Sequence, residues 1–148
     1  MKAYEMMTDF NVLYYFAKKN VMIQKPLDSV KKFHKAFNID IADSPTVNLT
    51  LEKIQLRYRL MQEENEEYLF ASKNKDIVEV ADALGDMLYI LCGTILTHGM
   101  QYKIEEVFDA IQESNMSKLG DNGKPIYRED GKVLKGPKYF KPNIKNFF

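Results

Sequence analysis

Apolar residues recur at helical spacing along most of the chain, and this pattern predicts four helices. The predicted helices cover residues 26–38, 50–72, 76–98 and 104–118. Pro26 fits the first turn of a helix, and Thr50 has the side chain of a helix N-cap. Gly99 and Gly120 follow the third and fourth helices, as is usual for glycines that end helices.

The remaining segments have a different pattern. Residues 39–49 are rich in loop-forming residues, and residues 124–135 predict a small β-hairpin that turns at Asp130-Gly131. We therefore expect an all-α fold, with one domain over residues 1–148. Its predicted architecture is an antiparallel bundle of four to five helices with a short C-terminal β-hairpin and an extended tail. Residues 1–25 contain an apolar stretch to which the pattern assigns no role.

Composition narrows the class of protein. The chain of 148 residues is 45% hydrophobic and 28% charged, which is ordinary for a soluble globular domain. Lys plus Arg and Asp plus Glu both number 21, so no bulk charge attracts nucleic acid or a membrane surface. The single cysteine, Cys92, lies in an apolar run and fits a buried position better than a nucleophile.

The sequence also bears on location. The N-terminus lacks the pattern of a signal peptide. Three acids interrupt the apolar stretch 77–97, which argues against a membrane span. These two observations predict a cytoplasmic protein.

The third predicted helix is apolar nearly all round except for three acids. Glu79, Asp82 and Asp86 are the only charged residues between positions 77 and 97, and their spacing places them on one face. A buried carboxylate takes up a proton, pairs with a cation or binds a metal, because an unpaired buried charge is costly. This helix contains no Lys or Arg, so the partner must come from elsewhere.

The second predicted helix presents more acids, in the run 63–67. The short link between the two helices predicts that they are antiparallel neighbours. With the turn centred near residues 72–75 and a rise of about 1.5 Å per residue, Glu67 lies level with Glu79. By the same rule Glu64 lies level with Asp82. Helix axes about 8–10 Å apart allow facing carboxylates to meet.

Four converging carboxylates repel one another unless protons or a cation intervene. Carboxylate ligands without His or Cys suit magnesium or manganese rather than zinc. Magnesium often bridges to substrate phosphates, so the acids predict a phosphate ester as substrate and a metal-activated water as nucleophile. Two alternatives stay open: the acidic run is a solvated helix face, or Arg57 or Arg59 pairs with the acids.

The motif Glu63-Glu64-x-x-Glu67, followed by Glu79-x-x-Asp82, resembles the signature of the all-α nucleoside triphosphate pyrophosphohydrolases. That superfamily includes MazG proteins, dimeric dUTPases and phosphoribosyl-ATP pyrophosphohydrolases. The chain is most similar to the phosphoribosyl-ATP pyrophosphohydrolase-like branch, over about residues 30–143. Other matching stretches are Phe33-His34, Arg57, and residues 78–86, 114–118 and 130–137.

The resemblance implies a role for each residue at a matching position. The implied magnesium ligands are Glu64, Glu67, Glu79 and Asp82. Glu63 matches the first acid of the motif and is the implied catalytic residue, which helps to position or deprotonate water. Asp86 either binds the metal or supports its ligands. The candidate substrate-binding residues are Asn115 and Lys118, which match the family, and the cations Arg57, Lys132 and Lys135.

The expected activity is magnesium-dependent hydrolysis of an NTP or dNTP between the α and β phosphates, to a monophosphate and pyrophosphate. Members of the superfamily are dimers or tetramers, so the resemblance implies a homodimer or homotetramer. The expected partner is the nucleotide substrate, with no nucleic acid and no membrane. One alternative is a phosphoribosyl-ATP pyrophosphohydrolase of histidine biosynthesis. The other is a non-catalytic helical interaction protein.

Overall fold

The computed structural model describes residues 23–148. Residues 1–22 lie outside this range. The predictions for the apolar stretch and for the absence of a signal peptide therefore fall on residues that are not described. The described chain is helical with no sheet, which confirms the all-α fold class. Each predicted helix agrees with the structure to within two residues at either end. The observed elements are α1 (Gln24–Ala36), α2 (Leu51–Asn74), α3 (Ile77–Thr97), α4 (Ile104–Met116) and the short 3-10 helix η1 (Ile144–Phe147).

The chain divides into two compact units, one that ends at Gln101 and one that covers Tyr102–Phe148. Helices α1, α2 and α3 belong to the first unit, and α4 and η1 belong to the second. Both acidic motifs therefore lie in the first unit. The single domain over residues 1–148 stays a prediction.

Helices α2 and α3 form an antiparallel hairpin whose two helix starts are capped by side chains. α2 begins where Thr50 Oγ1 accepts a hydrogen bond from the Lys53 N–H at 3.4 Å, as predicted. α3 begins where the Asp76 carboxylate accepts from the Glu79 N–H at 3.2 Å. Lys75, in the left-handed conformation at φ 58°, and Asp76 are the two residues between the helices, so the chain reverses at once.

The core of the first unit forms where α1 packs against α3. Leu27 and Val30 on α1 are fully buried, as are Cys92 and Leu96 on α3. The burial of Cys92 confirms the expectation from its apolar surroundings. Each buried Leu or Val stabilises the fold by about 1.5–3 kcal/mol. The contact between α1 and α3 is therefore a main source of stability in this unit.

The loop before α2 is tied to the C-terminal end of α3. The Thr46 N–H donates to the His98 carbonyl oxygen at 3.0 Å. Gly99 makes the approach possible, because a Cβ at this position would lie 2.1 Å from the Ser44 carbonyl oxygen. Its φ of +67° is also a conformation that favours glycine.

Arg57 joins α2 to the middle of α3. Its Nε donates to Thr94 Oγ1 at 3.0 Å, and its Nη2 donates to the Ile90 carbonyl oxygen at 2.8 Å. Gly93 leaves room for the guanidinium, since a Cβ there would lie 2.9 Å from Nη2. Burial lowers the pKa of Arg57, but an arginine keeps its charge in proteins. The two bonds determine which residues of α2 and α3 face each other.

His34 lies in the same part of the core. Its side chain is 2% exposed, and a Cβ on Gly93 would lie 3.1 Å from its Nε2. Burial lowers the pKa of His34 and the charge of Arg57 lowers it further, against a smaller opposing effect of the Asp40 backbone. The net effect is to lower the pKa, so the folded protein favours the neutral imidazole.

The second unit is held by bonds between the end of α4 and the C-terminal tail. Ser114 Oγ donates to the Phe140 carbonyl oxygen at 2.8 Å, and the Phe140 N–H donates to Ser117 Oγ at 3.2 Å. The Gly136 N–H donates to the Lys118 carbonyl oxygen at 2.9 Å. The tail therefore packs on its own unit.

The prediction of a C-terminal β-hairpin is wrong. Residues 124–135 contain no strand, and one isolated antiparallel bridge joins Tyr127 to Val133. The chain does turn at Asp130-Gly131, where Gly131 has a φ of +82°. Pro125 has no N–H with which to extend the ladder, and a two-stranded ribbon alone is marginally stable in water.

Replacing Arg57 by Met is expected to lower the free energy of unfolding by roughly 1.5–3 kcal/mol, because methionine keeps the apolar stem and loses the charged hydrogen bonds. Arg57→Lys should recover little of this loss, because an ammonium does not reproduce the guanidinium fork. Urea denaturation measures both variants. The matched control is Arg59→Met, at an exposed arginine on the same helix. An equal loss at both positions would contradict the assignment.

The free energy of unfolding is expected to depend on His34 below about pH 6.5, the pKa of an unperturbed histidine. Folding lowers this pKa, so the unfolded chain binds the proton more readily, and stability is lost as the pH falls through that value. The stability advantage of wild type over His34→Gln should therefore be smaller at about pH 5.5 than at about pH 7.5.

Urea denaturation at the two pH values measures this difference. The effects of other titrating groups cancel, because both proteins carry them. An advantage that stays constant between the two pH values would show that folding does not lower the pKa of His34.

Candidate active site

Seven carboxylates lie on facing stretches of α2 and α3 near their shared turn. They are Glu63, Glu64, Glu66, Glu67, Glu79, Asp82 and Asp86. Spacings of three and four residues place them along adjoining sides of the two helices. No Lys or Arg in residues 23–148 forms an ion pair with any of them. The structure therefore brings the predicted acids together without a counter-charge from the described chain.

Glu64 lies at the centre of this negative charge. Its side chain is partly buried, and its Oε2 is buried with no hydrogen-bond partner within the described residues. Burial raises the pKa of Glu64, and the charges of Glu67, Asp86, Glu63 and Asp82 raise it further, in that order. A carboxylate in such surroundings either holds a proton or is stabilised by a cation.

The hydrogen bonds of Arg57 explain why Glu64 meets Asp86. They place Arg57 level with the stretch 90–94 of α3. Two helical turns further along α2 is Glu64, and two turns back along the antiparallel α3 is the stretch 83–87, which contains Asp86. The two-residue turn and the Arg57 contact, two turns away from the acids, therefore restrain the register of the hairpin together.

The predicted levels need correction, because the hydrogen bonds of Arg57 place Glu64 level with the stretch 83–87 rather than with Asp82. The same shift moves Glu67 away from the level of Glu79. The prediction centred the turn near residues 72–75, whereas α2 continues to Asn74 and α3 starts at Ile77. This difference moves the register by about one turn. Asp86, whose role the sequence left open, thus belongs to the same group of charges.

An open cavity of about 500 Å³ lies beside the acids, at the turn end of the hairpin. Its walls include Glu63, Glu66, Glu67, Phe70, Asn74 and Glu79. Glu63 and Glu67 connect this cavity to Glu64, because they line it and also raise the pKa of Glu64. Glu64 thus lies partly buried on one side of Glu63 and Glu67, and the open cavity, which a ligand can enter, lies on the other side.

Five residues that line the cavity were not predicted as site residues from the sequence. They are Glu66, Phe70, Ala71, Asn74 and Asp76. Glu66 accepts a hydrogen bond from the Gln62 amide at 2.7 Å. Phe70 and Asn74 continue the helical spacing that starts at Glu63 and Glu67, and this periodicity is the signal that identifies them.

The donor groups of the site suit a hard divalent cation. All are carboxylate oxygens, and one oxygen of Glu64 is buried without a partner. No group of three or more His, Cys, Asp or Glu side chains within residues 23–148 already has the geometry of a metal site. Most of the acids are exposed glutamates, whose long side chains can rotate. The chemistry therefore fits such a cation, although the coordination shell is not preformed.

The predicted substrate-binding residues fall in both units. Arg57 uses two of its donors on α3 and pairs with none of the acids, and its role in substrate binding stays a prediction. Lys118 lies two residues beyond the end of α4, and its Nζ donates to Asn115 Oδ1 at 2.7 Å, so the two side chains are neighbours. Lys135 Nζ lies 4.5 Å from the centroid of an aromatic ring of its own unit, and Lys132 is exposed. Their contacts with a substrate stay predictions.

Comparison with known proteins identifies the family to which the chain belongs. The profile of the family described as phosphoribosyl-ATP pyrophosphohydrolase matches residues 30–115, which is more than half of the chain. This span contains all seven carboxylates as well as Arg57 and Asn115. A comparison with curated proteins found no match. The chain belongs to the phosphoribosyl-ATP pyrophosphohydrolase family of the MazG-like all-α superfamily, whose members hydrolyse phosphoric anhydride bonds.

Proposed function

We propose that the protein is a magnesium-dependent nucleoside triphosphate pyrophosphohydrolase, which splits an NTP or dNTP into a monophosphate and pyrophosphate. The observation that carries this proposal is Glu64, a buried carboxylate oxygen without a partner, crowded by four further carboxylates. Such crowding is unfavourable unless a cation or protons offset it. Family membership adds that the bond cleaved is a phosphoric anhydride.

The proposed ligands of magnesium, or of manganese in its place, are Glu64, Glu67, Glu79 and Asp82. The family is generally metal-dependent, and these carboxylates are the oxygen donors that such ions prefer. When bound, the ion supplies Lewis-acid polarisation of a phosphate and lowers the pKa of a water. The four acids come from two helices that Arg57 holds in register.

Hydrolysis adds one water across the bond between the α and β phosphates. The water oxygen bonds to phosphorus, the bridging P–O bond breaks, and a proton of the water must be taken up. We assign that proton to Glu63, because it lines the cavity beside Glu67 and Glu79. The residues proposed to bind the triphosphate are Arg57, Asn115, Lys118, Lys132 and Lys135, since the acids alone would repel it.

A phosphoribosyl-ATP pyrophosphohydrolase of histidine biosynthesis is the second candidate, because the matched family carries that name. The same acids would serve, since the bond is the same anhydride, and the candidates differ in the group on the α phosphate. Membership of an enzyme family decides against the third alternative, a non-catalytic interaction protein.

With magnesium and a panel of NTPs, dNTPs and phosphoribosyl-ATP, the protein is expected to release pyrophosphate and a monophosphate from at least one nucleoside triphosphate. Ion-exchange chromatography of the products measures this. Release of orthophosphate would reject cleavage between the α and β phosphates. Turnover of phosphoribosyl-ATP alone would replace the first candidate by the second.

Matched variants test whether the carboxylates are responsible for the activity measured in this assay. Glu79→Gln keeps the shape and removes the charge, and turnover should fall roughly 100-fold or more, because even groups that only support a metal ligand are worth about 10–100-fold. Glu52→Gln, at an exposed glutamate on α2 outside the cavity, should leave turnover unchanged. Full activity of Glu79→Gln would rule out the site.

We also propose that the protein is a homo-oligomer that associates through one face of α3. Ile77, Leu84, Leu88 and Leu91 are between 44% and 77% exposed. Their spacings of seven, four and three residues form a single stripe, the pattern of helices that pack on another helix. We call these four residues the α3 stripe.

A membrane is the competing partner for the α3 stripe. By length and composition α3 is the one described helix that could cross a membrane, a test that core helices of soluble proteins also pass. The acids Glu79, Asp82 and Asp86 on another side of α3 disfavour lipid around the whole helix. A second copy of the chain covers the stripe without burying those acids in lipid.

Leu88→Lys is expected to shift the protein towards smaller species, because a charge in a helix–helix contact is unfavourable. Sedimentation velocity measures this. Leu56→Lys, at a leucine of α2 that is 46% exposed, is the control and should sediment like wild type. A monomeric wild type would overturn self-association, and wild type that binds lipid vesicles while Leu88→Lys does not would assign the stripe to a membrane.

A further inference from the structure

Phe70 and Asn74 line the part of the cavity beyond the acids. We propose that these two residues form the binding site of the nucleobase. This inference rests on the proposed function, because it takes the acids to bind the polyphosphate end of a nucleotide. It adds the residues that contact the base, a part of the substrate that carboxylates and metals do not recognise.

Phe70 is an aromatic side chain left open to water beside a charged site. It is 72% exposed and lines the same cavity as Glu63, Glu67 and Glu79. The face of a phenyl ring carries partial negative charge, so the acids themselves are poor partners for it. The flat face of a base is a good partner, and stacking on an aromatic side chain accepts every base.

The spacing along α2 suits a nucleotide. At about 1.5 Å per residue, Phe70 is roughly 4.5 Å from Glu67 along the helix axis, and Asn74 is roughly 10 Å from it. One sugar separates the base of a nucleotide from its α phosphate, so base and phosphates can lie on neighbouring turns of one helix. The cavity volume of about 500 Å³ is typical of sites that hold small ligands.

Asn74 supplies the polar groups that a stacking ring lacks. Its amide offers both a donor and an acceptor, as do the edges of bases. Asp76, which also lines the cavity, offers only acceptors, and its Oδ1 already accepts two hydrogen bonds at the start of α3. Ala71 is 3% exposed and gives the cavity a small apolar floor between Phe70 and Asn74.

Packing against a second copy of the chain is the competing explanation for an exposed Phe70. The α3 stripe already provides an apolar contact surface, and Phe70 lies on the other helix of the hairpin. Phe70→Leu separates the two explanations, because leucine keeps an apolar side chain for packing but has no aromatic face.

The test is equilibrium binding to the full chain with magnesium present, measured by isothermal titration calorimetry. One set of ligands consists of nucleoside triphosphates, one for each common base, in which a methylene replaces the oxygen between the α and β phosphates. This replacement prevents hydrolysis of that bond. The other ligand is tripolyphosphate, which has no base.

Phe70→Leu is expected to bind the nucleotide analogues about 5- to 150-fold more weakly, the effect of losing one base–aromatic stack, and to bind tripolyphosphate as wild type does. Phe70→Trp should bind the analogues at least as tightly as wild type, because indole also stacks. Asn74→Ala should reduce the differences in affinity among the bases. Tyr58→Leu, at an exposed aromatic residue of α2 outside the cavity, is the matched control and should change no affinity.

The possible failures are distinguishable. If Phe70→Leu lowers the affinity for the analogues and for tripolyphosphate equally, or lowers neither affinity, Phe70 does not contact the base. If wild type hydrolyses nucleotides while Phe70→Leu binds the analogues as wild type does, the assignment of the nucleobase-binding site is wrong and the proposed function stands. Wild type that neither binds any analogue nor hydrolyses any nucleotide overturns both.

Discussion

Repulsion among carboxylates is the constraint around which the first unit is built. Glu64 is partly buried among four other acids, and nothing in the described chain neutralises them. Packing elsewhere along α2 and α3 must therefore hold the acids together. The two-residue turn with its Asp76 cap restrains one end, and the hydrogen bonds of Arg57 restrain the middle of α3.

The interface between α2 and α3 has two regions of opposite charge that do not pair. Arg57 lies beside His34 and bonds to the neutral groups of Thr94 and Ile90, two turns from Glu64. An ion pair between Arg57 and the acids would neutralise the site. Because the guanidinium is engaged with α3 instead, no arginine neutralises the carboxylates within the described residues.

The reaction class, the position of the acids and their access to a ligand follow from different properties of the protein. Membership of the family identifies a hydrolase of phosphoric anhydrides. The structure places the acids on neighbouring stretches of α2 and α3, and Glu63, Glu67 and Glu79 line an open cavity. The tail in the second unit is bonded to the end of α4, so the polar residues there have a defined local structure.

Most of the helical architecture could be predicted from the sequence, because helical periodicity and caps are local. Thr50 and Asp76 start their helices where the pattern indicates, and the motif acids lie on the predicted helices. The hairpin at Tyr127 and Val133 failed as a prediction, because turn residues indicate a reversal but strands need a packed surface.

The sequence by itself determined the acids, the helices that carry them and, through the motif, the family. The tertiary structure decided the register of α2 against α3, and hence that Glu64 lies level with the stretch that contains Asp86. It also decided that Arg57 bonds to α3 and that Phe70 opens into the acidic cavity. Register depends on where the turn begins, and an error of two residues there moves facing side chains by about a turn, which periodicity alone cannot detect.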